Sequence, residues 1–201
     1  MILGHGDIAS VLTDRDDRIY FASGVSNSSE TRESEYRREL NLLYTLLSEG
    51  NKKKHLIYFS SLCVFYSDTR YARHKLTMED WVRKLFPSYT IIRLGNITWG
   101  SNPNTLINFI KNKIKNREQF EVQDVYRYIV DKEELLHWIM MIPDFNCEIN
   151  IPGKRMKVKD IVREYCYPWV PKYKTPEELE YQAEGILALQ RSRDFWQKSV
   201  L

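Results

Sequence analysis

The chain has 201 residues, enough for one domain with a buried core, and its 13% aromatic content argues against disorder. Its formal net charge of +3 is too small to indicate a nucleic-acid partner. The 3 cysteines lack C-x-x-C spacing and the 4 histidines lack metal-ligand spacing, so neither a disulfide framework nor a metal site is expected. No signal peptide is visible, and no apolar run approaches the roughly 20 residues of a membrane span, so the sequence predicts a soluble, cytoplasmic protein without a membrane partner.

The first segment is a short apolar run, Met1 to Leu3, that opens onto Gly4-His5-Gly6-Asp7-Ile8-Ala9. The spacing Gly4-x-Gly6-x-x-Ala9, after a strand and before a helix, is the context of a dinucleotide-binding loop. Gly4 would permit the tight turn, Gly6 would let backbone N–H groups approach a pyrophosphate, and Ala9 would allow close packing. Two glycines near an N-terminus are also compatible with a plain turn, so both interpretations stay open.

Strand and helix patterns alternate along the rest of the chain. Near-continuous apolar runs predict strands at 18–23, 55–61 and 89–94. Apolar residues at helical spacing predict helices at 33–48, 71–86, 105–115, 131–141, 157–166 and 175–198. This alternation, with strands that are apolar on both sides, predicts a parallel sheet covered by helices on both faces.

The stretch "YFSSLCVFYSDTRYARHK", residues 58–75, carries a serine, a tyrosine and a lysine in a suggestive order. Tyr71 and Lys75 are one turn apart on the same face of the predicted helix, just after a strand that ends in serines. A tyrosine acts as a base near neutral pH only if its phenolate is stabilised, and an ammonium about 4–6 Å away would do this. A second pair, Tyr128 and Lys132, begins inside a strand-like run and is interpreted as accidental.

In this order the motifs resemble the extended short-chain dehydrogenase/reductases, which are nucleotide-sugar epimerases, dehydratases and reductases. The similarity runs from Met1 to about Ile161. In the family the serine lies three residues before a valine, which selects Ser61 over Ser60. The other matching pieces are the loop 4–9, the small-residue motif Ala22-Ser23-Gly24, the helix 39–47 with Asn41 and Thr45, the turn 91–100 with Arg93, Asn96 and Gly100, the strand-to-helix step 128–136, and the stretch 148–161.

The resemblance implies an α/β fold: a truncated, three-layer, Rossmann-like parallel sheet with helices on both faces. The shortened NAD(P)-binding core would span residues 1–142. A small C-terminal substrate lobe and a packing helix would span residues 143–201. The cofactor would be NAD or NADP, the ligand a nucleotide-sugar or related small molecule, and the protein a homodimer joined through the helices 33–48 and 71–86.

The resemblance also implies roles for single residues. Tyr71 would be the acid/base, Lys75 would lower its pKa and hold the nicotinamide ribose, and Ser61 would orient the substrate. Asn41 would complete an Asn-Ser-Tyr-Lys tetrad. The implied cofactor-binding residues are Gly4, Gly6, Asp7, Ile8, Ala22, Ser23, Gly24, Tyr71, Lys75, Leu94 and Asn96, and the implied substrate contacts are Ser61, Cys63, Asn96 and Arg127.

The sequence departs from this family in the half that should hold the adenosine. Arg18 follows Ala9 after only nine positions, where the family has two strands and two helices. The residue that reads the adenosine ribose at the end of the second strand therefore has no counterpart, although Asp14, Arg15 or Asp16 could stand in for it. Ser61 and Tyr71 are also only ten positions apart, which shortens the loop on the substrate side.

Two functions are consistent with these observations. The first is an NAD(P)-dependent epimerase/dehydratase or reductase that acts on a nucleotide-sugar-like substrate through Ser61, Tyr71 and Lys75. The alternative is a catalytically inactive Rossmann-like protein kept for nucleotide-sugar or protein binding. A third interpretation, an unrelated α/β domain with chance motifs, also stays open.

Overall fold

The computed structural model describes residues 1–166, apart from the side chain of Lys52, and shows two β-sheets. The strands are β1 (Ile2–Leu3), β2 (Arg18–Phe21), β3 (His55–Ser61), β4 (Tyr89–Leu94), β5 (Asn96–Ile97), β6 (Tyr126–Val130), β7 (Cys147–Ile151) and β8 (Lys154–Lys157). The main sheet has the order β1-β2-β3-β4-β7 and is parallel throughout. A smaller sheet has the order β5-β6-β8.

Helices cover both faces of the main sheet, as the sequence predicted. They are α1 (Glu33–Ser48), α2 (Arg70–Leu85), α3 (Leu106–Lys115), α4 (Lys132–Met140) and α5 (Val158–Ile161), which continues as a π-turn over Val162–Cys166. On one face α1 and α2 pack against alternate side chains of β2, β3 and β4. On the other face α4 packs against the remaining side chains of the same strands. The apolar runs at 55–61 and 89–94 are therefore buried on both sides, and the predicted α/β class is confirmed.

The start of α2 sets the position of the predicted catalytic tyrosine. The side chain of Thr69 caps this helix by accepting a hydrogen bond from the backbone N–H of Ala72 at 3.3 Å. Tyr71 consequently lies in the first turn of the helix and Lys75 one turn later. The buried face of α2 turns both side chains toward the carboxyl end of β3.

The glycine loop does not lead into an α-helix, which corrects the sequence-based expectation. Ala9–Val11 form a single 3₁₀ turn, and Leu12 is already extended. A parallel crossover normally takes a dozen or more residues and a helix. The eight residues between Ala9 and Arg18 leave room only for a turn. β1 therefore pairs directly with β2 and lies at the edge of the main sheet.

The main sheet runs past the predicted boundary at residue 142. β7 pairs with β4 along its whole length, and residues 1–166 form one compact unit. The predicted helix at 175–198 lies outside the described residues. No helix within residues 1–166 combines the length and the apolar character needed to cross a membrane.

Candidate functional site

Four loops meet at the carboxyl edge of the main sheet, where open parallel sheets bind their ligands. They are the glycine loop after β1, Ala22-Ser23-Gly24 after β2, the turn beginning at Ser61 after β3, and Gly95-Asn96 after β4. Their parallel order brings residues that are distant in sequence to one edge. The site residues are built on these four loops and on the inward faces of α1 and α2.

Ser61, Cys63 and Tyr71 lie together at the end of β3. The Ser61 hydroxyl accepts a hydrogen bond from the backbone N–H of Cys63 at 3.3 Å. Burial raises the pKa of the Tyr71 phenol well above its usual value, the charges of Cys63 and Glu39 raise it further, and a hydrogen bond with Ser61 offsets only part of the rise. Tyr71 is consequently a protonated phenol at neutral pH, able to donate a hydrogen bond or a proton.

Lys75 is paired with the carboxylate of Glu39, which was not among the predicted site residues. Its Nζ atom lies 2.9 Å from Oε1 of Glu39 and 3.2 Å from the hydroxyl of Tyr58. The side chains of Lys75 and Glu39 are 3% and 0% exposed. Nζ also lies 5.7 Å from the centroid of the Tyr71 ring. Lys75 is therefore close to Tyr71, as predicted, but its ammonium is shielded from solvent and its charge is neutralised by the carboxylate of Glu39.

Glu39 is saturated with hydrogen bonds. Besides Lys75, its carboxylate accepts from the backbone N–H of Val25 at 2.7 Å and from the Tyr58 hydroxyl at 2.7 Å. Nε2 of His74 lies 3.0 Å from Oε2. Burial alone would raise the pKa of this carboxyl, but Lys75 and the hydrogen bonds outweigh burial and hold the pKa far below its usual range. Glu39 is therefore an ionised carboxylate in the protein interior.

Asn41 does not reach the site, so the predicted tetrad is incomplete. It is exposed on α1, and its backbone carbonyl accepts a hydrogen bond from the Thr45 hydroxyl at 3.0 Å. Residues two positions apart on a helix point in different directions. Since Glu39 is on the inward face, Asn41 faces solvent. In the sequence, the inward face of α1 can be told from the outward face by the spacing of its buried apolar residues Tyr36, Leu43 and Leu46, and Glu39 shares their face.

The three glycines of the predicted cofactor loops differ in what surrounds them. Gly4 has φ +123°, and a Cβ there would lie 2.4 Å from the carbonyl oxygen of Ala22, so only glycine allows this contact with β2. A Cβ on Gly24 would lie 2.5 Å from Nζ of Lys75. At Gly6 a Cβ would meet nothing within 4 Å. The backbone of Gly6 therefore borders open space that a ligand can enter.

Asp7 binds the protein's own backbone. Its carboxylate accepts hydrogen bonds from the N–H groups of Ser101 at 2.9 Å and Asn102 at 3.0 Å, and its carbonyl accepts from Nε1 of Trp99 at 2.9 Å. Gly100 is the residue that allows this approach, since a Cβ there would lie 2.0 Å from the Asp7 side chain. The segment 99–102 is thus fixed against the glycine loop by Asp7.

Other predicted cofactor residues also make contacts within the protein. Ser23 accepts hydrogen bonds from Nη1 of Arg38, at 2.9 Å through its carbonyl and at 3.2 Å through its hydroxyl. The amide of Asn96 donates to the carbonyl of Tyr128 at 3.0 Å and ties β5 to β6. Ile8, Ala22 and Leu94 pack in the apolar core between the main sheet and α4.

Arg93, matched by the resemblance to a family turn, forms a buried ion pair. Its guanidinium binds Glu79 with two hydrogen bonds, Nε to Oε1 at 2.9 Å and Nη2 to Oε2 at 2.5 Å. Nη2 also lies 2.7 Å from Glu148 on β7. The hydroxyl of Ser60 donates to Glu79 at 2.6 Å. These contacts tie α2 to β4 and β7, so Arg93 has a structural role in this fold.

A cavity of about 690 Å³ opens beside the Ser61–Tyr71 cluster. Leu62, the residue after Ser61, and Tyr66 both line it, and burial raises the pKa of the Tyr66 phenol. Arg155 stacks on Tyr126, with Cζ 3.8 Å from the ring centroid. The lining residues are Leu62, Phe65, Tyr66, Tyr126, Arg127, Tyr128, Asn150, Pro152 and Arg155. Of these only Arg127 was predicted from the sequence as a substrate contact, although the alternation of aromatic and basic residues at 126–128 also marks this site.

These loops fit a dinucleotide at one end only. The open backbone at Gly6 leaves room for a pyrophosphate, and the half-buried Tyr71 suits the nicotinamide end. The candidates for the adenosine ribose lie elsewhere: Asp14, Arg15 and Asp16 precede β2, at the opposite edge of the sheet from the loops. Asp14 pairs there with the N-terminal ammonium, and Arg15 with Asp17. None of the three can read a ribose at the carboxyl edge.

The parallel sheet, the helices on both of its faces and the loops at its carboxyl edge define a Rossmann-like α/β fold. No protein-family model matches the sequence, and no curated protein matches it significantly. Solved structures do share the fold. WbmG from Bordetella bronchiseptica, in complex with NAD, is 13% identical, with a TM-score of 0.52 over 73% of this chain and 55% of that one.

Two epimerases show the same likeness. The UDP-N-acetylglucosamine 4-epimerase from Methanobrevibacter ruminantium, in complex with UDP-N-acetylmuramic acid, is 18% identical, with a TM-score of 0.55 over 78% of this chain and 61% of that one. The UDP-glucose 4-epimerase from Thermotoga maritima, with UDP-glucose, is 18% identical, with a TM-score of 0.54 over 80% of this chain and 64% of that one. The chain thus spans less than two thirds of the length of these structures, and the likeness establishes the fold they share.

Proposed function

We propose that this protein is an enzyme of the short-chain dehydrogenase type, an NAD(P)-dependent epimerase/dehydratase or reductase that acts on a nucleotide-sugar. The observation that carries this proposal is the cluster of Ser61, Cys63 and Tyr71 at the carboxyl edge of the sheet, beside a cavity lined by aromatic rings and arginines. Neighbours of the same fold that bind NAD or UDP-sugars support it.

In this proposal the chain's own residues bind and orient the substrate. Arg127 and Arg155 would pair with a diphosphate, and the exposed faces of Phe65 and Tyr126 would stack on a base. Ser61 would hold the reacting oxygen of the sugar, and Tyr71 would donate a proton to that oxygen in the step that reduces a carbonyl with hydride. A nicotinamide dinucleotide, held along Gly4, Gly6 and Ser23, would supply hydride chemistry.

The first test is a thermal-shift panel of NAD(H), NADP(H) and UDP-, dTDP- and GDP-sugars, followed by turnover assays with the ligands that bind. Tyr71→Phe removes the proton donor, so turnover is expected to fall by roughly 10²–10⁴-fold while cofactor binding is retained. Tyr89→Phe, at the opposite edge of the sheet, is the matched control. Turnover that survives Tyr71→Phe unchanged contradicts the assignment.

A second test addresses the cofactor loop separately from the chemistry. Gly6→Val adds a side chain into open space, so we expect the thermal unfolding temperature to stay the same. The affinity for the dinucleotide is expected to drop at least tenfold, because the new side chain occupies the place of the phosphates. Unchanged dinucleotide affinity in a folded Gly6→Val variant would show that the loop does not hold the cofactor.

The second candidate function is a binding protein without catalysis, and the pairing of Lys75 favours it. An ammonium that is 3% exposed and bound to Glu39 is not available to a ribose hydroxyl. In this case the panel yields a thermal shift with a nucleotide-sugar, none with either dinucleotide, and no turnover with any pair. The same experiment therefore separates the two candidates.

The assembly and location of the protein are further parts of the proposal. Tyr44 on α1 and Leu76 on α2 are exposed apolar residues, which supports a homodimer that buries these two helices. The three cysteines are all free thiols, which suits the reducing conditions of the cytoplasm, where we propose that the protein acts.

A further inference from the structure

The buried carboxylate of Glu39 faces the site but makes no contact that the proposed chemistry uses. It is fully buried and is bound by four residues from three segments: Val25 after β2, Tyr58 on β3, and His74 and Lys75 on α2. A carboxylate and an ammonium inside a protein are costly unless they satisfy each other. Glu39 and Lys75 thus join α1 to α2 through a buried ion pair, although two apolar side chains of similar size would pack the helices equally well.

We propose that Glu39 is a positioning residue of this site, which holds Lys75 and cancels its charge so that Tyr71 stays a phenol and works as a proton donor. The role in turnover rests on the proposed function. The effect of Glu39 on the ionisation of Tyr71 does not, because it follows from the geometry of these three side chains.

The charges around Tyr71 explain why Glu39 decides its state. Cys63 and Ser61 face the phenol from the end of β3, Glu39 and Tyr36 from α1, and Lys75 from one turn further along its own helix. The neutral phenol of Tyr58 on β3 also interacts with Tyr71, and its hydroxyl lies 3.2 Å from Nζ of Lys75. Lys75 is the only cation in this set. With Oε1 of Glu39 at 2.9 Å from Nζ, Tyr71 faces a dipole in place of a free positive charge.

Removal of the carboxylate would reverse this balance. A free Lys75 ammonium near the Tyr71 ring would favour the phenolate, and the repulsion between Glu39 and the phenolate would disappear. Both changes act in the same direction, so Glu39→Gln lowers the pH at which Tyr71 ionises. Glutamine keeps the size of the side chain and its ability to accept hydrogen bonds.

The test is a pH titration of protein labelled with ¹³C at the tyrosine Cζ atom, with Tyr71→Phe used to assign the signal. In the wild-type protein the Tyr71 signal is expected to remain that of a phenol throughout the range in which the fold survives. In Glu39→Gln the titration midpoint is expected to fall by roughly one pH unit or more. Glu49→Gln, an exposed position just beyond α1, is the matched control and is expected to titrate like the wild type. A folded Glu39→Gln variant with the wild-type titration overturns the proposal.

A double variant covers the case in which Glu39→Gln alone leaves a buried cation and unfolds. Glu39→Gln with Lys75→Met removes both charges, so it should unfold at a higher urea concentration than Glu39→Gln, and its Tyr71 signal should stay that of a phenol. A double variant that is no more stable than the single one, or whose Tyr71 ionises as early as in Glu39→Gln, contradicts charge cancellation. These measurements need no cofactor, substrate or turnover, so their failure is distinct from failure of the proposed enzyme.

Discussion

Lys75 and Glu79 follow each other by one turn on the buried face of α2, and each is matched by an opposite charge from another element. Lys75 binds Glu39 on α1, and Glu79 binds Arg93 on β4. The resemblance implied that Lys75 binds a ligand and that Arg93 belongs to a turn, but both side chains are held in these ion pairs. At the scale of the residue, the partner of a side chain therefore decides what it can do, more than its place in a motif.

His55 gives a prediction at this scale. Its ring nitrogens lie 2.7 Å from the hydroxyl of Ser88 and 2.8 Å from that of Thr90. Burial, followed by the charge of Arg18, lowers the pKa of His55 in the folded protein. The unfolded chain takes up a proton below about pH 6.5 while the folded one does not, so the free energy of unfolding should decrease as the pH falls through this value.

Urea unfolding at pH 7.5 and pH 5.5 checks this prediction. In His55→Gln, which keeps hydrogen-bonding groups but cannot be protonated, the loss of stability between the two pH values should be smaller than in the wild type. An equal loss in both proteins would exclude His55 as the cause.

At the scale of the element, α2 is the part that organises the site. Its cap at Thr69 fixes where the helix begins and so places Tyr71 in the first turn, and its buried face carries the two ion pairs that join it to α1 and to the sheet. By contrast, the 3₁₀ turn that follows the glycine loop is too short to add an oriented helix N-terminus behind a phosphate. The side of the site that would bind the substrate therefore has a complete, capped helix behind it, whereas the side that would hold a pyrophosphate does not.

The pair of Glu79 and Arg93 gives a prediction for this element. Glu79→Ala leaves the buried guanidinium without its main partner, so the free energy of unfolding should fall by about 3–5 kcal/mol. Asp80→Ala, the next residue, removes an exposed carboxylate paired with Arg83 and should cost less than about 1 kcal/mol. Denaturant unfolding of both variants measures the difference, and equal losses would contradict it.

At the scale of the whole molecule, the parallel sheet ends at β1, a strand of only 2 residues. One face of the sheet is covered by α1 and α2 together. The exposed Tyr44 of α1 contacts Trp81 of α2, which is partly buried against the core, and their ring centroids are 5.7 Å apart. This pair of aromatic rings is large enough to serve as the centre of a contact between two copies.

Sedimentation gives the prediction at this scale. We expect a dimer at tens of micromolar, and we expect Tyr44→Glu combined with Leu76→Glu to give a folded monomer, because both side chains are exposed in the single chain. The double substitution Glu133→Lys with Glu134→Lys, on α4, is a control that should leave the dimer intact. A wild-type protein that sediments only as a monomer would contradict the proposed dimer.

The sequence alone was sufficient for strands β2, β3 and β4 with the helices α1 and α2 between them, for the α/β class, and for the neighbourhood of Ser61 with Tyr71. These depend on local periodicity and on short loops, since a buried strand must be apolar on both sides and a helix on one. Strands β5, β7 and β8 were missed. In β7 (Cys147–Ile151) half-buried and exposed residues alternate before the buried Ile151, so its apolar pattern is less continuous than that of β3 or β4.

Only the tertiary structure decided the partners of the charged residues. Glu39 and Lys75 are 36 positions apart. Arg127 lies on β6 of the smaller sheet and Tyr66 follows β3 of the main sheet, yet both line the cavity. Periodicity reports which side of a helix is buried but does not report which charge it will meet. The choice of Glu39 over Asn41, and with it the state of Lys75 and Tyr71, was therefore decided by how α1 packs against α2.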